Sequence, residues 1–119
     1  MREDCKYYVD EFVQGLLEQQ RGIWESLGRQ YVRKQEKRYS KAVEKLLETE
    51  EGMAELTTLL SHESPTIALT AAVYLLDTPA EMEAVATFRR YADRPEDDLN
   101  TYAARERLKD WEKQKAQRQ

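Results

Sequence analysis

Residues 61–77 read Ser61-His62-Glu63-Ser64-Pro65-Thr66-Ile67-Ala68-Leu69-Thr70-Ala71-Ala72-Val73-Tyr74-Leu75-Leu76-Asp77. Ser64 takes the N-cap position ahead of Pro65 at the first helical position, where the missing proline N–H is one of the donors a helix leaves unpaired anyway. Over 67–76 almost every residue is apolar or small, so no polar stripe remains for water and the helix has to be buried on several sides. A bilayer span needs about 20 apolar residues, more than this run supplies. The stretch therefore predicts a central helix around which the other helices of a globular chain pack.

The residues outside it are also helical in pattern. Only three prolines and four glycines interrupt 119 residues, charged residues are 35% of the total, and no alternating Val/Ile/Thr run with a hairpin turn occurs. The expected class is all-α, five to six helices, in a single domain over 1–119. Two long N-terminal helices (1–48) cap two helical hairpins (53–76 and 79–114), and a polar tail (115–119) frays. The start, Met1-Arg2-Glu3-Asp4-Cys5-Lys6, contains no apolar h-region of an export signal, and the expected location is cytoplasmic.

Toward the N-terminus, a first helix is expected over 3–26. Val9, Val13, Leu16, Ile23 and Leu27 form its stripe, flanked by Phe12 and Leu17. Gly15 and Gly22, seven apart, share a face on which another backbone could approach closely, and Gly28 is the expected C′ residue. A second helix over 29–48 buries Val32, Gln35, Tyr39, Ala42, Val43, Leu46 and Leu47. Its outer face carries Arg29, Arg33, Lys34, Lys37, Arg38, Lys41 and Lys45 against Glu36 and Glu44. Residues 49–52 read as a break, and a third helix from Met53, with Leu56, Leu59 and Leu60 inward, ends before Ser64.

Toward the C-terminus, Thr78-Pro79-Ala80-Glu81 has the form of a capping box, Thr78 at N-cap and Glu81 reaching back from N3. The helix it starts runs to about residue 92 with Met82, Val85, Ala86 and Phe88 inward. After the loop 93–98, a last helix over 98–114 carries Ala104, Leu108 and Trp111 on one stripe, with Leu99 and Tyr102 nearby.

Catalytic and metal constellations are scarce. His62 is the only histidine and Cys5 the only cysteine, which leaves no disulfide, no ordinary zinc spacing and no nucleophile–base pair except around His62. Cys5 reads as a free thiol near a frayed end, and His62 as an exposed turn residue. The sequence predicts a protein that is not an enzyme and works without metal or cofactor.

Charge is distributed unevenly. Residues 1–47 hold ten basic and eight acidic groups, 48–100 three and twelve, and 101–119 six and three. The acidic middle, with Asp93, Glu96, Asp97 and Asp98 in one loop and Glu63 before the central helix, suits a basic partner cleft and speeds association with it. The basic second helix, with Tyr31 and Tyr39 nearby, offers a different class, a scaffold or nucleic-acid adaptor. Overall acidity and the lack of a recognition motif weigh against nucleic acid as the partner.

Leu59-Leu60, the polar turn, Pro65, Ile67 and Ala71-Ala72 together resemble a HEAT-like repeat; Ala68 departs from it, standing where such repeats carry Arg. With the two leading helices and the closing Ala104-Arg105, Leu108 and Trp111, residues 9–111 also resemble a small bacterial all-α family of unknown function. That family is similar to immunity proteins of polymorphic toxin systems. The resemblance implies an antitoxin that blocks a cognate toxin domain, a nuclease or an NAD-consuming transferase with a basic cleft, by stoichiometric occlusion. Glu63, Asp93, Glu96, Asp97 and Asp98 are then the expected partner-binding residues, because the turns that carry them lie at equivalent ends of the two hairpins.

Overall fold

Small residues on one helix face let a second backbone come close, and the first two helices meet in this way. A computed structural model of the protein describes residues 3–118. It consists of α1 (Glu3–Trp24), α2 (Arg29–Leu46), α3 (Glu50–Thr58), a 3₁₀ turn (Leu59–Ser61), α4 (Pro65–Leu75), α5 (Glu81–Ala92) and α6 (Leu99–Gln117). The fold is all-α, with no strand among the described residues. Contacts group the chain into two units, the first ending at Thr58 and the second beginning at Leu59.

In the first unit α1 and α2 form an antiparallel pair with α3 packed against both. A Cβ on Gly15 would lie 3.1 Å from Tyr39 Cβ, and one on Gly22 would lie 2.7 Å from the Tyr31 ring. Gly15 therefore serves the close backbone approach expected of it, with Tyr39 N at 3.2 Å and Gln35 O at 3.3 Å from the same position, whereas Gly22 makes room for a side chain, the Tyr31 ring. Phe12 is fully buried and meets Tyr39 edge-on at 6.2 Å, while Leu16, Ala42, Val43 and Leu46 complete the core. Arg38 binds Glu11 across the pair through two hydrogen bonds of 2.9 and 2.7 Å. Further along, Glu18 accepts from Arg21 and from the Tyr31 hydroxyl.

These pairs have a pH signature. The Arg38 hydrogen bonds hold the Glu11 carboxyl below the usual glutamate range, so its contribution to stability is complete above that range and is lost as pH falls through the depressed value. Glu11→Gln should therefore flatten the acid-side fall of Tm, starting at about pH 5, while lowering Tm at neutral pH. An acid limb as steep in the variant as in the wild type would show that Glu11 does not drive it.

Several sequence expectations change at helix ends. α1 stops at Trp24, and the left-handed residue after it is Ser26 (φ 54°), not Gly28. Leu27 N–H donates to Gly22 C=O and Ser26 N–H to Ile23 C=O, the paired bonds of a Schellman ending. Gly28, at φ 103°, instead leads into α2. The core stripe of α1 ends at Gly22, where Tyr31 lies against the backbone, and Ile23 (62%) and Leu27 (41%) stay exposed. Leu17 is exposed too, and Val9 and Val13 are half-buried. Cys5 is buried within α1 rather than placed on a frayed end.

The expected break at 49–52 is the start of α3. Thr49 Oγ1 accepts from Gly52 N–H at 2.9 Å as an N-cap, and Glu50 and Glu51 occupy the first turn, where negative charge favours a helix. The helix expected to continue to the turn before Ser64 closes at Thr58. Thr57 and Thr58 hydroxyls bond back to the Met53, Ala54 and Glu55 carbonyls, and the chain tightens into the 3₁₀ turn. α3 accordingly belongs to the first unit and not to a hairpin with α4.

In the second unit α4 packs against the 3₁₀ turn, α5 and α6. Ile67, Ala68, Leu69, Ala71, Ala72 and Leu75 are all buried, as an apolar run of this kind requires. Ser64 and Pro65 stand at N-cap and N1, although the Ser64 side chain makes no capping bond; its N–H donates to His62 Nδ1 at 3.0 Å. His62 is thus a half-buried part of the turn.

The expected capping box does not form. Thr78 Oγ1 donates to Leu75 C=O and accepts from Ala80 N–H, closing α4 rather than opening α5. Glu81 accepts from Trp111 Nε1 at 3.3 Å, leaving Ala80 at the N-cap of α5. On α5 the inward face is Ala84, Val85, Thr87, Phe88 and Tyr91, while Met82 and Ala86 face solvent. α6 extends through the expected fraying tail to Gln117; Gln119 lies outside the described residues.

Candidate partner-binding surface

Pro95 cannot continue a helix and disfavours helical backbone at Arg94, so α5 ends at Ala92 and the chain turns through Asp93-Arg94-Pro95-Glu96-Asp97-Asp98. Asp98 restarts it. Its backbone is extended (φ −108°, ψ 179°), and its Oδ1 accepts from Thr101 N–H at 2.9 Å, a side-chain N-cap for α6. The Thr101 N–H first, then the Arg94 guanidinium, hold the Asp98 carboxyl below the usual aspartate range.

Arg94 organises the turn. Its Nη2 lies 2.7 Å from both Asp98 carboxylate oxygens, its Nε donates to Thr101 Oγ1 at 3.2 Å, and Glu96 approaches to 3.7 Å. The same guanidinium lies 4.9 Å from the Tyr91 ring centroid, a cation–π contact that fixes it from below. Arg105 donates to Ala92 C=O, satisfying an orphan carbonyl at the end of α5, and lies 3.8 Å from Asp97.

The expected partner residues are thus placed as follows. Asp93, Glu96, Asp97 and Asp98 occupy the α5–α6 turn and are all exposed, with Asp98 committed to the cap and Asp93 in no ion pair with a described residue. Glu63, also exposed, sits between the 3₁₀ turn and α4. Arg90 Nη2 donates to Leu60 C=O at 2.8 Å, so the last turn of α5 lies against the 3₁₀ turn and both acidic turns share one end of the α4–α5 pair.

Two residues expected near the core belong to this surface instead. Leu99 is 85% exposed and Tyr102 58% exposed, on the first turn of α6 directly after the carboxylates. The α6 stripe is Thr101, Ala104 and Trp111, and their spacings of three and seven leave Leu99 and Tyr102 outside it. The bracing by Arg94 and Arg105 has no signal in the charge run itself.

No helix among the described residues is long and apolar enough to cross a membrane. No group of three or more His, Cys, Asp or Glu among them is arranged to hold a metal ion. The second unit carries exposed carboxylates and the exposed Leu99 and Tyr102 side by side on an all-α scaffold. Comparisons with protein-family models, curated proteins and solved structures return no match.

Proposed function

We propose that this chain is a binding protein that acts by occlusion, most concretely an immunity protein that seats its acidic turn in the basic cleft of a toxin domain, a nuclease or an NAD-consuming transferase, in the cytoplasm. One observation carries the binding reading: exposed Leu99 and Tyr102 stand beside the exposed carboxylates of Glu96, Asp97 and Asp98 on a turn clamped by Arg94. Apolar anchors inside a charged rim are the usual anatomy of a protein interface, and a clamped turn loses little entropy on docking. The immunity class itself rests on the HEAT-like resemblance. Such a task is stoichiometric and needs neither a catalytic residue nor a cofactor.

Co-expression with nuclease and NAD-consuming transferase toxin domains tests the reading. The wild type should restore growth. Asp93→Lys, Glu96→Lys and Asp97→Lys combined should abolish rescue, because leaving a toxin Arg or Lys buried without its partner costs about 2–5 kcal/mol. Asp98 is kept, since its loss would uncap α6. Full protection by the folded triple variant would show that the acidic turn is not the interface.

A further inference from the structure

The basic face of α2 is left over by this reading. Arg33, Lys34, Lys37 and Lys41 are all exposed, and none makes an ion pair with a described residue, although Lys45 and Arg38 on the same helix do. Spacings of three and four put them in one row, and Arg33, Lys37 and Lys41 follow one another at about 6 Å along the axis. Such a row can track a flexible phosphodiester chain. Gln30, Arg33, Lys34 and Lys37 line an open depression along this row.

The next depression, of about 300 Å³, is lined by Tyr7, Tyr8, Glu11, Arg38, Lys41 and Ala42, so Lys41 joins the cationic row to an aromatic wall. Tyr7 is 59% exposed and is held edge-on by Tyr8 at 5.2 Å. Glu11 is neutralised by its two bonds to Arg38 and brings no free negative charge to the cleft. Cations in a line ending at a propped, solvent-facing ring are the two parts of a single-strand site, phosphate tracking and base stacking.

We infer that the α2 row and Tyr7 bind single-stranded nucleic acid, the four cations following the backbone and Tyr7 stacking on one base. This goes beyond the toxin-binding reading, uses none of its residues, and the two fail independently.

Fluorescence anisotropy with an oligothymidylate of about twelve nucleotides, the same sequence in a duplex, and polyglutamate tests it. Four phosphate contacts on a single strand predict a log–log salt slope of about −3, a fall of about 50-fold between 50 and 200 mM salt. Lys34→Glu with Lys37→Glu should lower affinity at least about 10-fold and halve the slope. Tyr7→Ala should weaken single-strand binding about 5-fold or more with the slope unchanged, and leave the weaker duplex binding as it was. The substituted side chains are exposed, and unaltered helical circular dichroism and melting would verify the fold. No binding at low salt, equal affinity for polyglutamate, or indifference to Tyr7→Ala would each overturn the inference.

Discussion

Ala72→Asp should abolish cooperative folding of the α4 region or lower Tm by at least about 10 °C, whereas Lys41→Asp should change stability by less than about 0.5 kcal/mol. Ala72 is completely inaccessible to solvent on a helix that also buries Ala68, Leu69 and Leu75. A carboxylate there would have neither water nor a cation within its helix to replace its hydration. The cost, several kcal/mol, is a large part of the 5–15 kcal/mol that typically holds a domain together. Lys41 is exposed and makes no ion pair with a described residue, so its replacement breaks no salt bridge among them. Thermal melts followed by far-UV circular dichroism compare the two directly. If both variants melt with the wild type, α4 is not the buried centre of its unit.

The second large effect concerns a glycine, and here local propensity and tertiary packing predict opposite signs. Gly52 is buried in α3, and replacing a helical glycine with alanine ordinarily gains about 1 kcal/mol. A Cβ at this position would lie 2.1 Å from the Leu46 carbonyl oxygen and 2.8 Å from its carbonyl carbon. That neighbour is backbone at the end of α2, fixed by the fully buried Leu46 side chain, and cannot swing aside as a side-chain tip would. Overpacking of this severity costs about 3 kcal/mol or more, so Gly52→Ala should destabilise by about 2 kcal/mol net. Gly28→Ala is the informative comparison. Nothing lies within 4 Å of its Cβ position, and its φ of 103° alone opposes the change. A denaturant midpoint for Gly52→Ala at or above that of the wild type would show that α3 does not press on the end of α2.

The bases of these two predictions differ in how far they could be read from residue order. The burial of α4 is legible because a run with no polar stripe and a Ser64-Pro65 start are local facts, and a helix wholly apolar around its circumference has few places to go. The Gly15 and Gly22 face of α1 is legible for the same reason, since periodicity alone puts the two on one side. Gly52 against Leu46 is not, because its meaning depends on what the loop between α2 and α3 brings up to it. The same holds for helix ends that offered two chemically adequate residues. Ser26 rather than Gly28 takes the left-handed position, and Thr78 spends its hydroxyl on the Leu75 carbonyl instead of capping α5.

The candidate surfaces divide along the same line. By itself the sequence determined that carboxylates crowd the turn after α5 and that cations crowd α2, since charge is a property of residue type. Tertiary structure alone decided that Arg94 and Arg105 brace that turn, that Leu99 and Tyr102 face solvent beside it, and that the cationic row of α2 ends at Tyr7. Those relations join side chains from different helices, and their formation is set by packing geometry, to which the pattern within any one helix carries no coordinate.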